Sequence, residues 1–389
     1  MYCTFSKEPS FGMDATTQDF IVDLISEEII TNVNYVKNTE FNSPTAKGRT
    51  PRVKSSGGRV NFEMTYGNDG WNTLFEVLVG KKDTLTDFAF AKSSEHWRIV
   101  TGQLAGNIDA TETSFNITEF KAGEFDSVDG IIVGGEYIAI TTISNGVVSV
   151  SLRNQEGTTA SSHIAQDLVY GVVASGGNSI DLIYRYRDGF CYYLTESLTM
   201  LINRSGDYFK FNGVTFSDFV FNSVPESEGT TSSFQVSAIN TDVIELASPS
   251  TAADSNQMLS SLDINCYSMN SWLDIEKIYF QISNTLNVSP SKFLDTTPQK
   301  IFMQKFSSYG QFSLVEESLA AYNKYIGDTM QNLSVTMTNG RQFNNAYVFS
   351  FNNIRYGTML HVLRDDDLIT DSVPFYSYGP DKFFMMIQS

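Results

Sequence analysis

Hydrophobic and polar residues alternate over several short stretches of this chain, a pattern typical of β-strands with one buried face. Near the start, strands predicted at residues 21–26 and 58–64 precede a short apolar helix. Far downstream, strands predicted at residues 278–283 and 310–314 again precede a helix, at residues 318–327. The pattern therefore indicates a mainly β protein with few helices.

The two halves of the chain repeat one order of elements: a strand, a long polar stretch, a second strand and a helix. Three pairs of positions match between the halves: Ser26 with Ser283, Gly58 with Gly310, and Gly80 with Gly327. Internal repetition of this kind indicates a duplicated β-module. Because no chemistry is evident between the halves, the repeat favours a building block over a catalyst.

Residues 101–173 interrupt the first half and are predicted to form a separate small β-domain. Its strands, predicted at residues 114–117, 130–140 and 146–152, are joined by Gly and Asn turns, as in hairpins. The Gly-rich pieces at residues 134–135 and 175–178 lie between strands without a following helix, so we interpret both as turns rather than phosphate-binding loops.

After the insert, the first half is predicted to resume with three strands that have counterparts in the second half. These strands are at residues 194–201, 208–211 and 214–221, with turns at residues 206–207 and 212–213, and their counterparts are at residues 333–337, 342–343 and 346–351 with a turn at residues 339–340. Residues 222–262 contain a predicted linker and a further strand at residues 242–246. The tail, from Asp365 onward, is acidic and then aromatic.

Composition limits the classes of protein to which the chain can belong. Its 389 residues suit two or three domains, and 29 Phe and 19 Tyr raise its strand-forming content. The net charge of -18 argues against nonspecific attraction to a nucleic-acid backbone. The three cysteines, Cys3, Cys191 and Cys266, show no metal-site or disulfide spacing, which fits a reducing cytoplasm. We find no signal-peptide pattern and no apolar stretch long enough to span a membrane.

One polar stretch is basic, although the chain as a whole is acidic. Residues 37–57 lack apolar periodicity and are predicted to form a long loop with a single acidic residue, Glu40. A loop of this length inside a compact domain is more often functional or disordered than neutral, although a solvated loop remains the simpler interpretation. The cations of this stretch and of the following strand are Lys37, Lys47, Arg49, Arg52, Lys54 and Arg59.

The sequence shows no catalytic or metal-binding constellation. His96, His163 and His361 lack ligand spacing, and we expect each to be an ordinary surface or turn residue. The acidic run at residues 365–367 lacks the other positions of a calcium loop. Paired carboxylates for glycoside cleavage remain possible, since they need not be close in sequence, but Trp71, Trp97 and Trp272 are expected in the core rather than on a sugar-binding face. We therefore predict no catalytic residue, no metal and no cofactor.

Several stretches resemble the tail tube proteins of long-tailed bacteriophages. They are EPSFGMDATTQDFIVDLISEEI and KGRTPRVKSSGGRVNFEMTYGNDGWNTLFEVLVG near the start, YFKFNGVTFSDFVFNSVPESEGTTSSFQV later, and IYFQISNTL with its loop, strand and helix in the second half. The insert resembles a β-module added to phage structural proteins, most specifically in the R-x-Q-x-G-T-x-A-x-x-H segment from Arg153 to His163.

The resemblance implies a fold of two tandem β-sandwich or barrel modules, each with a short flanking helix, plus the inserted β-domain. We expect the first module at residues 1–100 and 174–250, the insert at residues 101–173 and the second module at residues 251–389. In the family, subunits join edge to edge into a ring around a channel, which covers their open strand edges. Three duplicated chains would present six modules with pseudo-sixfold symmetry; a ring of six chains is the alternative. The insert is expected to project outward.

The resemblance also implies partners. The long loops are expected to contact the adjacent ring through their cations, less securely in the second half, where the loop contains Lys292, Lys300 and Lys305 against Asp295. Rings would stack into a tube in the virion tail, assembled in the host cytoplasm, and would meet tape measure, terminator and distal tail proteins. Genome DNA would pass without specific binding, kept sliding by the net negative charge, and no membrane is involved.

Other functions remain open at this point. A distal tail, baseplate hub or tail terminator protein would have a similar fold but would occur in only one or two rings per particle. A glycan-binding adhesin is a further alternative because of the aromatic residues and small β-modules. An enzyme is the least supported class.

Overall fold

The computed structural model of the chain describes residues 2–15, 20–37, 49–66, 70–93, 98–121, 123–184, 192–193, 196–204, 207–224, 230–244, 259–260, 263–268, 271–288, 301–315, 323, 327–328, 330–339, 345–358, 360–363, 369–378 and 383–388. These residues form a mainly β fold, as predicted, with one complete helix, α1 (Gly70–Val79).

The strands of the first half and of the insert come first. They are β1 (Tyr2–Lys7), β2 (Phe20–Glu27), β3 (Ile30–Lys37), β4 (Arg49–Phe62), β5 (Lys81–Phe90), β6 (Thr101–Leu104), β7 (Ser114–Thr118), β8 (Gly130–Val133), β9 (Glu136–Ser144), β10 (Val147–Leu152), β11 (Leu168–Tyr184), β12 (Tyr192–Tyr193), β13 (Leu198–Arg204), β14 (Asp207–Ser223), β15 (Thr230–Ala238) and β16 (Asn240–Ile244).

The strands of the second half follow. They are β17 (Ile264–Ser268), β18 (Ser271–Leu273), β19 (Ile275–Val288), β20 (Ile301–Val315), β21 (Gln331–Thr338), β22 (Ala346–Tyr356), β23 (Leu360–Leu363), β24 (Ile369–Tyr378) and β25 (Phe383–Gln388). Every pairing between these strands is antiparallel, so each can present one face to a core and one to solvent.

Six strands of the first half form a closed circuit. The order β1–β2–β4–β15–β14–β13 returns to β1. Along its length, β2 pairs first with β1 and then with β4, and β14 pairs first with β13 and then with β15. The side chains inside it are aromatic and aliphatic: the Phe5 ring lies 6.3 Å from that of Phe62 and 6.2 Å from that of Phe216. Closure removes free strand edges on this side of the first half.

An open sheet of eight strands crosses both halves of the chain. Its order is β3–β4–β15–β14–β19–β20–β24–β23, and the middle pairing joins the halves through six residue pairs, from Asp218 with Ser283 to Ser223 with Ile278. One face of this sheet is apolar: Phe219, Phe280 and Phe312 are fully buried. Helix α1 packs on that face, where the Phe75 ring lies 4.8 Å from the ring of Phe219.

The insert contains a second closed circuit. Strand β11 pairs with β8, and the order continues through β9, β10, β7 and β6 back to β11. Its core is a separate cluster that includes Phe125, Ile131 and Val169. Strand β11 then continues into the main body, where it pairs with β5 and with β25 from the end of the chain.

The main core does not divide at the middle of the sequence. A single cluster of buried side chains contains Phe5 and Phe62 from the first half together with Phe280, Phe349 and Phe375 from the second. The rings of Phe219 and Phe349, one from each half, stack at 6.1 Å. The domain boundaries given by the sequence remain a prediction, and the two halves pack on one continuous core.

Several strand predictions are confirmed, and the glycines that match between the halves share local geometry. A Cβ on Gly58 would lie 2.0 Å from the Glu28 carbonyl oxygen, and a Cβ on Gly310 would lie 2.4 Å from that of Tyr279, so each glycine permits close approach of the neighbouring strand. The Gly80 amide donates to the Glu76 carbonyl at 2.8 Å, and the Gly327 amide donates to the Asn323 carbonyl at 3.0 Å, as at the end of an α-helix. The rest of the helix predicted at residues 318–327 lies outside the described residues.

Other predictions are wrong, first among them the second part of the long basic loop predicted at residues 37–57, of which residues 38–48 lie outside the described residues. Strand β4 begins at Arg49 and pairs with β3, so residues 49–57 form the return arm of a long hairpin. Backbone pairing does not require apolar side chains, which explains why periodicity did not reveal this arm. Strands β1 and β15 were also missed: no strand was predicted before residue 21, and β15 lies within residues 222–262, where a linker was predicted.

Two predicted turns lie inside strands. Residues 212–213 do not end a strand, because β14 continues through them and Gly213 adopts φ +61°. A Cβ on Gly213 would lie 2.5 Å from Ile239 Cγ1, so glycine also permits close packing at this bend. Residues 175–178 likewise lie within β11, where the register with β5 shifts between Ala174 and Ser179. Both sites are irregular strand positions, which favour the same residues as turns.

Candidate assembly surfaces

The eight-stranded sheet has two unpaired edges within the described part of the chain. Strand β3 pairs only with β4, and β23, at the other end, pairs only with β24. Two exposed apolar side chains lie beside the first edge: Ile25 on β2 is 51% exposed and Ile30 on β3 is 63% exposed. An open edge with exposed apolar residues is a template for pairing with another chain.

The strands follow the same order in the two halves of this sheet. In the first half, β14 pairs with β15, β15 with β4, and β4 with β3; in the second, β23 pairs with β24, β24 with β20, and β20 with β19. The halves meet where β14 pairs with β19. By this correspondence, β23 takes the position of β14, and β3 takes the position of β19. The free edge of β23 thus corresponds to the edge of β14 that pairs with β19, and the free edge of β3 corresponds to the edge of β19 that pairs with β14. The junction inside the chain therefore joins the two halves through the edges that correspond to the free edges of β23 and β3.

The junction is packed on its core side. Phe219 and Phe221 of β14 and Phe280 and Ile282 of β19 are fully buried, and the rings of Phe221 and Phe280 stack at 5.0 Å. Apolar burial of this kind stabilises the pairing by roughly 1.5–3 kcal/mol per side chain.

The opposite side of the sheet, termed the polar face, is the side that the core residues do not occupy. On this face, residues of the neighbouring strands β14, β19, β20 and β24 lie opposite one another. One row contains Asn222, Tyr279, Gln311 and Pro374, and the next contains Val220, Gln281, Tyr309 and Tyr376. We call these eight residues the central rows. A groove of about 450 Å³ runs along part of this face, beside Asn222, Tyr279 and Gln311.

Side chains of the polar face hydrogen-bond to one another. The Tyr279 hydroxyl donates to Gln281 Oε1 at 3.1 Å, and Gln281 Nε2 donates to Ser283 Oγ at 3.0 Å. The Tyr309 hydroxyl donates to the same Gln281 oxygen. Burial, followed by the hydrogen bond with Tyr309, raises the pKa of Tyr279 to about 12, so this phenol is neutral at physiological pH.

The predicted contact cations are distributed along the two long hairpins. Lys37 ends β3 opposite Arg49, and Arg52 and Lys54 follow on β4. Arg59 is half-buried on β4 opposite Gln235. In the second half, Lys305 is exposed on β20 opposite Thr285, and Lys47, Lys292 and Lys300 lie outside the described residues. The structure therefore brings the described cations onto hairpin arms rather than onto a loop.

The insert contains a buried ion cluster that the sequence did not identify. Glu136, 1% exposed, accepts hydrogen bonds from Arg153 Nε at 2.7 Å and Nη2 at 2.8 Å, from the Ser161 amide at 3.0 Å and through His163 Nε2 at 2.9 Å. Burial opposes ionisation of Glu136, but the bonds from Arg153 and His163 outweigh it and lower the pKa of this carboxyl. His163 is therefore a buried, paired residue, and its assignment to a surface or turn was wrong.

The same cluster explains the segment from Arg153 to His163. Arg153 Nη1 donates to the Asp109 carbonyl and Nη2 to that of Ser161, both at 2.7 Å, while the Thr158 hydroxyl donates to the Gln155 carbonyl at 2.8 Å. These bonds fasten the segment to the insert strands. Both Glu136 oxygens already have partners, so the arrangement is a structural clamp.

Other candidate chemistry is limited in the described residues. None of their His, Cys, Asp and Glu side chains are grouped in threes that could hold a metal ion. Cys3 and Cys266 are free and buried, and burial raises the pKa of each thiol. Trp71 is fully buried, as expected for a core residue. No helix in the described part of the chain is long and apolar enough to cross a membrane.

The sequence matches no model of a known protein family and no curated protein.

Proposed function

We propose that the chain is a structural protein that assembles through its sheet edges into stacked rings, the rings forming a bacteriophage tail tube for delivery of genome DNA. The observation that carries the proposal is the shared strand order of the two sheet halves, with β14 and β19 already joined. If the same junction forms between β23 of one chain and β3 of the next, every edge of the sheet is paired. The resemblance to tail tube proteins supports the same assembly.

A ring of three chains follows from counting the repeated sheet halves. Each chain presents two such halves, and the family arrangement implies six around the channel. Growth by a repeated edge contact is heterologous and closes when the rotation between neighbours divides the circle. Stacking of closed rings would then bring the long β3–β4 and β19–β20 hairpins toward the adjacent ring. The cations from Lys37 to Arg59 are the proposed contacts there.

The proposed role is one of assembly rather than catalysis, located in the virion tail, with no cofactor. Its partners are copies of itself, adjoining tail components and DNA in transit. The contact between stacked rings, rather than the edge contact within a ring, separates a tube from a single-ring component, because only a tube protein stacks many rings of one chain.

The experiment replaces the exposed apolar residues beside the free edge by lysine. In the double variant Ile25→Lys, Ile30→Lys, charges on the edge should block strand pairing between chains, and rings and tubes should be lost in negative-stain electron microscopy. Because both side chains are more than half exposed, the free energy of unfolding should change by only about 0.5 kcal/mol.

The matched control is Val147→Lys, Leu152→Lys on the insert, where the side chains are 44% and 56% exposed. This control should assemble as the parent chain does. Normal tubes from the edge variant would contradict assembly through β3, and the absence of rings and tubes from the parent chain would contradict the proposed function itself.

A further inference from the structure

The polar face has a positive local charge, although the chain as a whole has a formal net charge of -18. Cations on or beside this face outnumber the carboxylate found at its paired positions. The cations are Arg59, Lys277, Lys305 and Arg355, and the carboxylate is that of Asp218. The net charge of the chain argues against attraction to a nucleic-acid backbone, but the charge of this face has the opposite sign.

Three of these cations have no acidic partner. In the described part of the chain, several lysine and arginine side chains pair with carboxylates, among them Arg355 with Asp328 at 2.7 Å. Arg59, Lys277 and Lys305 form no ion pair with any described residue. Unpaired cations on one face of an acidic protein can attract an anionic ligand to that face.

Exposed tyrosine rings lie between the cations. Tyr309 is 36% exposed and Tyr376 is 41% exposed, and the two lie opposite each other on β20 and β24. The hydroxyls of Tyr279 and Tyr309 both donate to Gln281 Oε1, which fixes these two rings on the face. A fixed and exposed aromatic ring is a surface on which a nucleobase can stack.

The groove beside these rings is lined by polar groups that suit a nucleotide. Its volume of about 450 Å³ lies within the range of small-ligand sites, about 300–1,000 Å³. Asn222, Gln311 and Lys277 are among its lining residues. Amide side chains can hydrogen-bond to the edges of bases, and lysine binds phosphate.

The lysines lie at the ends of the face rather than in its middle. Lys305 is opposite Thr285, which follows Lys277 by eight residues on β19, so about 26 Å of strand separates the two lysines. The side chains of β19 on this face between them are tyrosine, glutamine and serine. A nucleic-acid strand offers bases to such side chains and phosphates to the lysines, whereas a run of carboxylates would require cations along the whole face.

We propose that the polar face binds single-stranded nucleic acid, with bases stacked on Tyr309 and Tyr376 and phosphates held by the three unpaired cations. A single strand is favoured over a duplex because unpaired bases expose their faces for stacking. This binding activity goes beyond the assembly proposed above and does not depend on it.

The experiment measures the fluorescence anisotropy of a labelled oligothymidylate of about 12 nucleotides during titration with the full chain. All proteins carry Ile25→Asp and Ile30→Asp, because acidic side chains at the sheet edge should keep the chain unassembled and the face open without adding cations. The substitutions on the face are Lys277→Gln, Tyr309→Ala and Tyr309→Phe. The control is Lys121→Gln, which removes the same charge from an exposed position of the insert.

The chain with an intact polar face should bind the oligonucleotide saturably at about 50 mM salt. The logarithm of its affinity should fall with the logarithm of salt concentration with a slope of about -2, as three phosphate contacts on a single strand require, and Lys277→Gln should reduce that slope by about 0.7. Tyr309→Ala should weaken binding by about fivefold or more, whereas Tyr309→Phe, which keeps the ring, should bind within about twofold of the intact face. Lys121→Gln should leave affinity and slope unchanged.

Each contrary outcome overturns a stated part of the proposal. The absence of saturable binding up to about 100 µM protein would overturn it entirely. Equal affinity for a duplex of the same length would overturn the stacking of bases, and equal affinity for polyglutamate would assign the face to an acidic protein instead. Equal effects of Lys277→Gln and Lys121→Gln would show an attraction unrelated to this face. Tube formation is tested separately by electron microscopy of the parent chain.

Discussion

At the scale of single residues, Glu136 shows how a buried charge is retained in the insert. Its two oxygens are occupied by Arg153, His163 and a backbone amide, so the desolvation penalty is offset by charge-assisted hydrogen bonds. The segment from Arg153 to His163 was recognised in the sequence as specific, but its role was not. The partner Glu136 precedes that segment, and no spacing pattern links the two.

Removal of one partner of Glu136 should show how much unfolding free energy the buried carboxylate costs when it is unpaired. Arg153→Ala leaves Glu136 buried without its main cation and is expected to lower the free energy of unfolding by about 3–5 kcal/mol. Arg355→Ala is the control, because Arg355 is 46% exposed in its pair with Asp328 and should cost about 1 kcal/mol or less. Denaturant unfolding of both variants measures the difference, and equal costs would contradict the clamp.

The lowered pKa of Glu136 also predicts a dependence on pH. A carboxyl whose pKa is lower in the folded than in the unfolded state contributes stability above its unfolded pKa of about 4.3 and loses it as pH falls through the folded value. On acidification below about pH 5, the parent chain should therefore lose unfolding free energy faster than Glu136→Gln. Parallel pH profiles of the two proteins would contradict this contribution.

At the scale of elements, the fold is built from long hairpins and an eight-stranded sheet, which the sequence pattern revealed only in part. Alternation revealed the strand at residues 278–283, where Ile278, Phe280 and Ile282 enter the core and Tyr279 and Gln281 face away. It did not reveal the first part of β4, residues 49–57, whose polar residues give no periodic pattern. Nor did any pattern indicate that β14 pairs with β19, because that pairing depends on packing between distant parts of the chain.

The glycines of the return strands provide a test at this scale. A Cβ on Gly310 would meet the Tyr279 carbonyl oxygen at 2.4 Å and Phe375 Cζ at 2.5 Å. Gly310→Ala should therefore force β19 and β20 apart and cost about 1–3 kcal/mol of unfolding free energy.

The control for this substitution is Gly176→Ala on β11, where a Cβ would meet nothing within 4 Å. Its effect should remain within about 0.5 kcal/mol. If Gly310→Ala is equally neutral, the close approach of the hairpin strands is not a requirement of the fold.

At the scale of the whole molecule, the repeat seen in the sequence corresponds to a repeated strand order in one sheet. The sequence predicted the matching positions, since Gly58 and Gly310 lie at the same close approach in their hairpins. It could not predict the polar face, because membership of that face depends on the register among four strands from both halves.

The central claim is that the two free edges of the sheet pair between chains and close a ring. Native mass spectrometry of the smallest assembled ring tests it most directly, because the chain mass of 43.4 kDa sets the scale. The account predicts a ring with the mass of three chains. A particle of six chains would contradict the counting of sheet halves, and a chain that remains monomeric at all concentrations would contradict assembly through the edges.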